Sequence, residues 1–488
     1  MITSLDFLNK GNKWLPDDAD TKNRMHRYNR NQKLFNKENG ALESYQESFK
    51  RIERVVGNFD NVISYATLIN YFRLVSKKTG DLLYGEKPII DSADNKETIE
   101  NIIDNTTLFL KLYKSAIDIS RYGDSVLYLF DDNGKGNFNV ISPKMWIPIV
   151  DNVDNAEVVN HVLAWEYNTV VDGKKKTLLN VEIHYVGSIE KRVYELVTQL
   201  DYNIKINASS SNKIIGSMIS SEVIQTGLSD FAIIHLSNFT TTDSFTGIDD
   251  YIDMDDIVQE LLVRIAQVSR VLDKHASPSV TGSSSALEKD PASGLWKLKL
   301  GNYFPVDSSD DVKPEYMTWD GQLQSSFSQI ELLINQLYVI SEMGSVLLGG
   351  SDTGGTNLSG RALRMKMISP LAKIKRITMY IDADIKKLIK LLSELGGESI
   401  TNLVDEKISI TWQDGLPNDA LEEAEIIEKR KGSNTISTQT ALIRYDQMSE
   451  EDADEEIERI QEEELAMNPL SEKPFSGDNM ISDGEEDD

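Results

Sequence analysis

The sequence predicts an α+β fold, and three observations carry that prediction. From SVLYLF (125–130) to about residue 237, short apolar or alternating runs are separated by turn residues, which is the signature of consecutive strands. Before and after that block, apolar residues recur three or four positions apart, the period of a helix with one buried face. Glycines stand where helical runs should stop, at Gly85, Gly123, Gly396 and Gly397. A chain of 488 residues with 40% hydrophobic and 27% charged side chains can bury sizeable cores, and its length corresponds to roughly two to four domains.

Taken in order, residues 38–85 read as mostly helix, with 61–84 rich in Ile, Leu, Val and Tyr and with Gly80 and Gly85 as breaks. Residues 98–122 form a second helical stretch through Leu108, Leu112, Ile117 and Ile119, and Gly123 ends it. The strand 125–130 turns at DDNGKG (131–136), and FNVI, WIPIV and HVLAWEYN continue the β region, with another turn at Asp172–Gly173. The second half is different. Residues 249–274 are a helix with Met254, Ile257, Leu261, Ile265, Val268 and Leu272 on one face. A polar segment (277–294) and short strand candidates near WKLKL and EYMTW follow. Residues 322–343 form another amphipathic helix, through Leu323, Phe327, Ile330, Leu333, Leu337 and Ile340. The glycine-rich GSVLLGGSDTGGTNLSG (344–360) reads as a loop. A long helix then runs from about 359 to 395, roughly 55 Å at 1.5 Å per residue. ISITW (408–412) is a strand, and 418–431, 438–445 and 450–465 are short helices.

Charge and composition exclude several functions. The net charge of −28 argues against a tight, sequence-independent DNA binder, which displaces counterions with clustered Lys and Arg. That charge is uneven: Asp446 to Asp488 holds 18 acidic and 2 basic residues, and its end reads as a disordered acidic tail. Between Lys22 and Lys37 the chain is basic (Lys22, Arg24, His26, Arg27, Arg30, Lys33, Lys37) with Tyr28 and Phe35 interleaved. This reads as a solvated arm that docks on a neighbouring surface, in preference to a nucleic-acid contact. The long helix is basic too, with nine Lys and Arg against two Asp over 361–390. The absence of cysteine excludes disulfides, Cys-based metal sites and thiol nucleophiles and fits assembly in a reducing compartment. There is no apolar run of about 18 residues, and the first residues lack a signal-peptide layout.

No catalytic constellation emerges. The glycine-rich loop lacks the Gly-Lys-Ser/Thr of a phosphate loop and the preceding strand of a dinucleotide site. Asp352-Thr353-Gly354 has no second copy with which to share a proton, as an aspartic protease requires. The turn at 131–136 fails as a calcium loop because Lys135 and Ser142 occupy ligand positions. His26, His161, His184, His235 and His275 form no metal-binding pair in sequence, and no Gly-x-Ser-x-Gly occurs. Carboxylates are plentiful, and counting neither locates nor dismisses a glycosidase pair, so an enzyme reading has no residue to stand on, and no metal ligand or cofactor site emerges.

The order of five motifs resembles the portal proteins of tailed bacteriophages, particularly those of long-tailed phages of Gram-positive hosts. NYFRLVSKKTGDLLYGEKPII (70–90) is similar to the family's early helix ending in Leu/Tyr-x-Gly-x-x-Pro-Ile. AIDISRYGDSVLYLFDDNGKGNFNVISPKMWIPIVD (116–151) is similar to its glycine-then-hairpin segment. DSFTGIDDYIDMDDIVQELLVRIAQ (243–267) resembles the Ser-x-x-x-Asp lead-in to the first stem helix, and LSGRALRMKM (358–367) the start of the long helix. ISITWQDGLPND (408–419) resembles the Ile-x-Trp-x-Asp-x-Leu-Pro approach to the last domain, and the acidic 450–463 also fits. Together the resemblance covers about 40–468.

What the resemblance implies is a structural protein with a portal fold: an α/β wing, a two-helix stem, a small mixed clip, a long tunnel-adjacent helix and an α-helical crown. Its parts fall at 1–39 (N-terminal arm), 40–248 (wing, first part), 249–274 (stem helix 1), 275–321 (clip), 322–343 (stem helix 2), 344–358 (tunnel loop), 359–412 (long helix and wing return), 413–468 (crown) and 469–488 (acidic tail). It implies a ring, commonly of twelve copies, at one capsid vertex of the virion, assembled in the host bacterial cytoplasm. Double-stranded DNA passes through its channel, packaged by a terminase and later ejected. Partners are the terminase, a head-completion adaptor and the major capsid and scaffolding proteins, with no membrane. The loop Gly349, Gly350, Ser351, Asp352, Thr353, Gly354, Gly355, Thr356 and Asn357 would face the duplex. Arg361, Arg364, Lys366, Lys373, Lys375 and Arg376 would pair across subunits or lie beside the tunnel. Lys289, Asp290, Trp296, Lys297, Lys299 and Tyr303 would meet the terminase or adaptor. The alternative is another ring-forming phage head or connector protein without a packaging role.

Overall fold

A computed structural model of the chain describes residues 2–38, 45, 69–92, 94–153, 157–171, 174–198, 213–276, 280–281, 287–289, 291, 294, 296–298, 315–316, 323–349, 364–397, 401–413, 420–445, 448 and 450–467. They fall into two compact units, Met1–Gly415 and Leu416–Asp488.

In the first unit, a short 3-10 turn (Leu5–Leu8) precedes helix α1 (Ala19–Asn36), which Asp18 caps by accepting from the Thr21 backbone N–H. This is the basic segment, and the expectation of a solvated arm is corrected. Tyr28 and Leu34 are fully buried, Arg24 nearly so, and the helix packs on its own chain against α2 (Tyr71–Tyr84) and against the later helix Leu108–Tyr122. Thr21, Arg24, Met25, Tyr28, Asn31 and Leu34, three or four apart, form a continuous buried stripe, and covering its aromatic and aliphatic members made burial the cheaper outcome. Helix α2 runs through Gly80 instead of breaking there. A Cβ at Gly80 would lie 3.0 Å from the ring of Tyr113, so this glycine permits a close helix–helix approach; Gly85 ends the helix as expected.

Strand β1 (Ile89–Ser92) follows, then α3 (Lys96–Thr106) and α4 (Leu108–Tyr122). The single helix expected over 98–122 is thus two helices. Thr107 adopts φ +52°, and its backbone N–H closes α3 onto the carbonyls of Ile103 and Asp104. Gly123, at φ +83°, ends α4 as predicted.

The hairpin of β2 (Asp124–Asp131) and β3 (Gly136–Ile141) turns through Asn133 and Gly134, both at positive φ, as a tight primed turn requires. Then come β4 (Trp146–Val150), β5 (Val158–Val171), β6 (Lys174–Tyr185), β7 (Ser188–Thr198), β8 (Lys213–Gln225) and β9 (Ile233–Ser237). Val171 pairs with Lys174 across the second predicted turn, whose Asp172 and Gly173 lie outside the described residues. Two antiparallel sheets result, with strand orders β3-β2-β9 and β4-β5-β6-β7-β8. Ile147, Val162, Leu179, Val181 and Ile183 fill one face of the larger sheet together with Leu8. A second cluster, Val126, Trp146, Leu163 and Ile233, joins the two sheets.

Helix α5 (Tyr251–Ala276) packs against α6 (Leu323–Ile340). Between them β10 (Val280–Thr281) pairs with β13 (Glu315–Tyr316), and β11 (Leu287–Lys289) with β12 (Trp296–Leu298), two nested antiparallel pairs. The first residues of the expected loop at 344–360 are instead a short helix, α7 (Gly344–Leu348), which buries Leu348. The long helix is described from a turn at 364–367 into α8 (Ile368–Leu395), 28 residues, which is about 42 Å. Strand β14 (Ile408–Thr411) then pairs antiparallel with β1, Ile90 opposite Ile410, so segments more than 300 residues apart close one sheet.

The second unit contains α9 (Ala420–Gly432), α10 (Thr438–Tyr445) and α11 (Glu450–Met467). Arg430 donates to the Tyr445 hydroxyl (3.0 Å) and Gln439 to Asp454 (2.7 Å), while Ala441 and Ala453 are buried at the small-residue contacts.

Candidate functional site: the root of the helix pair

The chain enters α5 through Ser244–Asp250, and buried carboxylates fix that passage from four sides. Asp124, at the start of β2, is fully buried and accepts from the Tyr28 hydroxyl of α1, from the Gly247 backbone N–H (2.8 Å) and from His235 Nε2 of β9 (2.7 Å). Gly123 and Gly247 lie back to back here. A Cβ on Gly123 would fall 2.2 Å from the Gly247 carbonyl oxygen, and one on Gly247 1.9 Å from that of Gly123. Only glycine fits this crossing on either strand.

Asp249 accepts from the Tyr251 backbone N–H (3.0 Å) and pairs with Arg27 of α1 at 3.2 Å. Burial pushes its carboxyl up to about 6, although Arg27 pulls it back down. Asp250 accepts from Ser120 (2.6 Å) and Asn238 (3.0 Å) and forms a 2.9 Å ion pair with Lys373 of α8. Ser120 in turn reaches Ser76, which bonds the Tyr251 hydroxyl at 2.9 Å. One turn on, Asp255 accepts from the Tyr45 hydroxyl (2.9 Å) and pairs with Arg30.

Where the chain leaves α6, at the same root, it is tied to the same long helix. Lys373 donates to the Ser341 carbonyl (3.2 Å), and Arg376 pairs with Glu342 while its guanidinium lies 5.6 Å from the Phe239 ring centroid. The entry to α5 and the exit from α6 are therefore both clamped to α8 by charge. A buried charge is tolerated only when paired, so the clamp has a defined geometry. Among the described residues, no group of three or more His, Asp or Glu side chains has a metal-binding arrangement.

These positions account for much of the predicted basic set. Lys373 and Arg376 pair within their own chain, an arrangement the sequence reading did not foresee. Further along α8, Lys386 pairs with Asp382, Lys387 with Asp230, and Lys390 donates to the Val404 carbonyl. Arg364, Lys366 and Lys375 have exposed side chains, and Arg361 lies outside the described residues. Of the glycine-rich loop, Gly349 is described, at φ +82° as the cap of α7. Gly350, Ser351, Asp352, Thr353, Gly354, Gly355, Thr356 and Asn357 lie outside. Of the tip residues, Lys289 is exposed and sits opposite Trp296, while Lys297 sits opposite Glu288; Asp290, Lys299 and Tyr303 lie outside.

The sequence reading missed the acids. Asp124, Asp249 and Asp250 fall among residues quoted for their motifs, but no local pattern distinguishes a buried Asp from an exposed one. It also treated the histidines singly. His161 and His184 are cross-strand partners, and His161 and His235 flank Trp146, their ring centroids 6.0 and 4.4 Å from its own.

Comparison with known proteins bears on this site directly. Residues 252–469 match the family model described as phage portal protein, SPP1 Gp6-like. The match begins one residue into α5 and spans both helices of the pair, the long helix and the second unit. No curated protein matches the chain. Among solved structures, it is similar to a chain of "Neck of empty GTA particle computed with C6 symmetry", with 12% identity, a TM-score of 0.45 and coverage of 79% of this chain and 93% of that one. It is also similar to a chain of "Virion of native gene transfer agent (GTA) particle", with 11% identity, a TM-score of 0.38 and coverage of 76% and 88%. A third, "Neck of native GTA particle computed with C12 symmetry", gives 11% identity, a TM-score of 0.39 and the same coverages. Residues 252–469, from α5 to α11, are thus similar to phage portal proteins of the SPP1 Gp6-like kind.

Proposed function

We propose that the chain is the portal subunit of a tailed phage: copies close into a ring at one capsid vertex of the virion, and double-stranded DNA enters and leaves through the central channel. The family match over 252–469 carries this reading. In it, the two-helix stem is α5 and α6, the clip is 275–321, the tunnel loop 344–358, and the crown 413–468, while the wing combines 40–248 with 359–412. The pairing of β1 with β14 supports that last combination.

The exposed side chains of the helix pair support ring closure. Leu272, Phe327, Leu332, Val339 and Ile340 are 44–73% exposed. Covering the exposed part of such a side chain is worth about 1–2 kcal/mol, and a ring repeats the gain at every contact. Terminase and adaptor would dock at the clip, capsid and scaffolding proteins around the wing, and the acidic crown would face packaged DNA. The channel need not grip: weakly repelled phosphate slides, whereas repeated Lys/Arg contacts would hold it.

Negative-stain imaging of the purified chain tests the reading. A closed ring with a central channel is expected, and a persistent monomer would overturn it. Replacing Gly349, Gly350, Gly354 and Gly355 with Ala should spare the ring and impair packaging. Normal packaging by that variant would remove the tunnel-loop assignment while leaving the ring intact.

A further inference from the structure

A cavity of about 280 Å³ lies on the first unit, beside the passage into α5, between α1, β4 and the 243–246 segment. Its walls include Ile2, Pro148, Val150 and Phe245 on the apolar side and Thr21, Ser244 and Thr246 on the polar side. Arg24 and Arg27 also line it. The two arginines are in different situations. Arg27 is engaged, pairing with Asp249 and donating to the Gly247 carbonyl at 3.2 Å. Arg24 is 92% buried, has no ion pair among the described residues, and its Nη1 makes no hydrogen bond. Its guanidinium lies against the rings of Trp146 (5.5 Å to the centroid) and Tyr28 (5.9 Å).

A buried cation without an anion is costly. Aromatic faces offset part of that cost and leave the rest to whatever occupies the cavity. The rim then selects the anion. Asp20 and Asp243 are exposed at the wall and repel a dianion more than a monoanion. They also repel a duplex, whose phosphates arrive as a dense array. A single carboxylate on a thin extended chain escapes both restrictions, and the apolar wall accepts a neighbouring aliphatic group.

We infer that this cavity receives one carboxylate side chain presented by an acidic protein segment with an apolar flank, the carboxylate meeting Arg24. The inference does not depend on ring formation or on DNA passage.

The test uses the full chain and two fluorescently labelled pentapeptides, one with a central glutamate between leucines and one with glutamine in its place. Anisotropy should show saturable binding of the glutamate peptide, with the glutamine peptide about tenfold weaker or worse, as for loss of a charge-assisted hydrogen bond. Asp243→Asn, at the exposed rim, should strengthen binding about threefold by removing repulsion. Arg24→Met should abolish it; should that variant fail to fold, the peptide pair and Asp243→Asn decide the matter. Equal affinity for the two peptides overturns the inference, as does no saturable binding of the glutamate peptide. Displacement by a short DNA duplex or inorganic phosphate, without peptide specificity, assigns a phosphate site instead.

Discussion

His161 accepts a hydrogen bond from the Trp146 indole at Nδ1, 3.0 Å away, so that nitrogen carries no proton in the folded chain. Burial, then the neighbouring His235 and His184, push the imidazole down from 6.5 to about 3. The unfolded chain takes up this proton near pH 6.5 and the folded chain only near 3. The contribution is therefore complete above pH 6.5 and is lost on acidification, by about 1.4 kcal/mol per pH unit within the window. Asp249 works in the other direction. Its carboxyl titrates near 6 in the fold against 3.8 unfolded, so its ionisation costs stability as pH rises between those values. The two effects overlap and partly cancel, which makes the single variant informative. His161→Gln keeps an acceptor for Trp146 without a titrating group. Its melting temperature should fall less steeply than that of the parent between about pH 6.5 and 4. Parallel slopes would show that His161 carries none of the acid sensitivity.

At the scale of elements, the passage into α5 is the organising feature, and charge holds it. Lys373 is 2% exposed and its partner Asp250 is also shielded, so each ion depends on the other. Lys373→Met strands the carboxylate and should destabilise the first unit by about 3–5 kcal/mol. Pairing it with Asp250→Asn should restore most of that loss, since the neutral amide still bonds Ser120 and Asn238. Chemical denaturation of the two variants checks the contrast, and additive losses would show that the pair is not coupled. This clamp was not legible in the sequence, although the elements it joins were. The strands, the two amphipathic helices, the long helix and the strand at 408–411 were readable because each repeats a local period. The break at Thr107 was not, because a threonine at positive φ carries no local signal. Nor was the burial of Arg24 and Tyr28, since a basic helix looks solvated until its packing partner is known.

For the whole molecule, the net charge of −28 and the exposed apolar stripe of the helix pair oppose each other. In the proposed ring each added copy would bring like charge, and each contact would cover aliphatic surface. Over half of the excess charge lies beyond residue 445, in the segment holding 18 acidic and 2 basic residues. The first 445 residues, which carry the helix pair, are correspondingly less repelled by one another. The apolar stripe should therefore decide assembly. Leu332 and Val339 are 57% and 73% exposed, so charging both should change the stability of the isolated chain by no more than about 1 kcal/mol. Leu332→Glu with Val339→Glu is expected to leave the circular dichroism and melting of the chain unchanged and to abolish rings in negative stain. Raising the salt screens the added carboxylates within about one Debye length, roughly 10 Å at 0.1 M, but cannot restore the lost apolar contact. A variant that forms rings at high salt but not at low salt would place repulsion, instead of burial, in control of assembly. One that forms rings at every salt concentration would remove this stripe from the subunit contact.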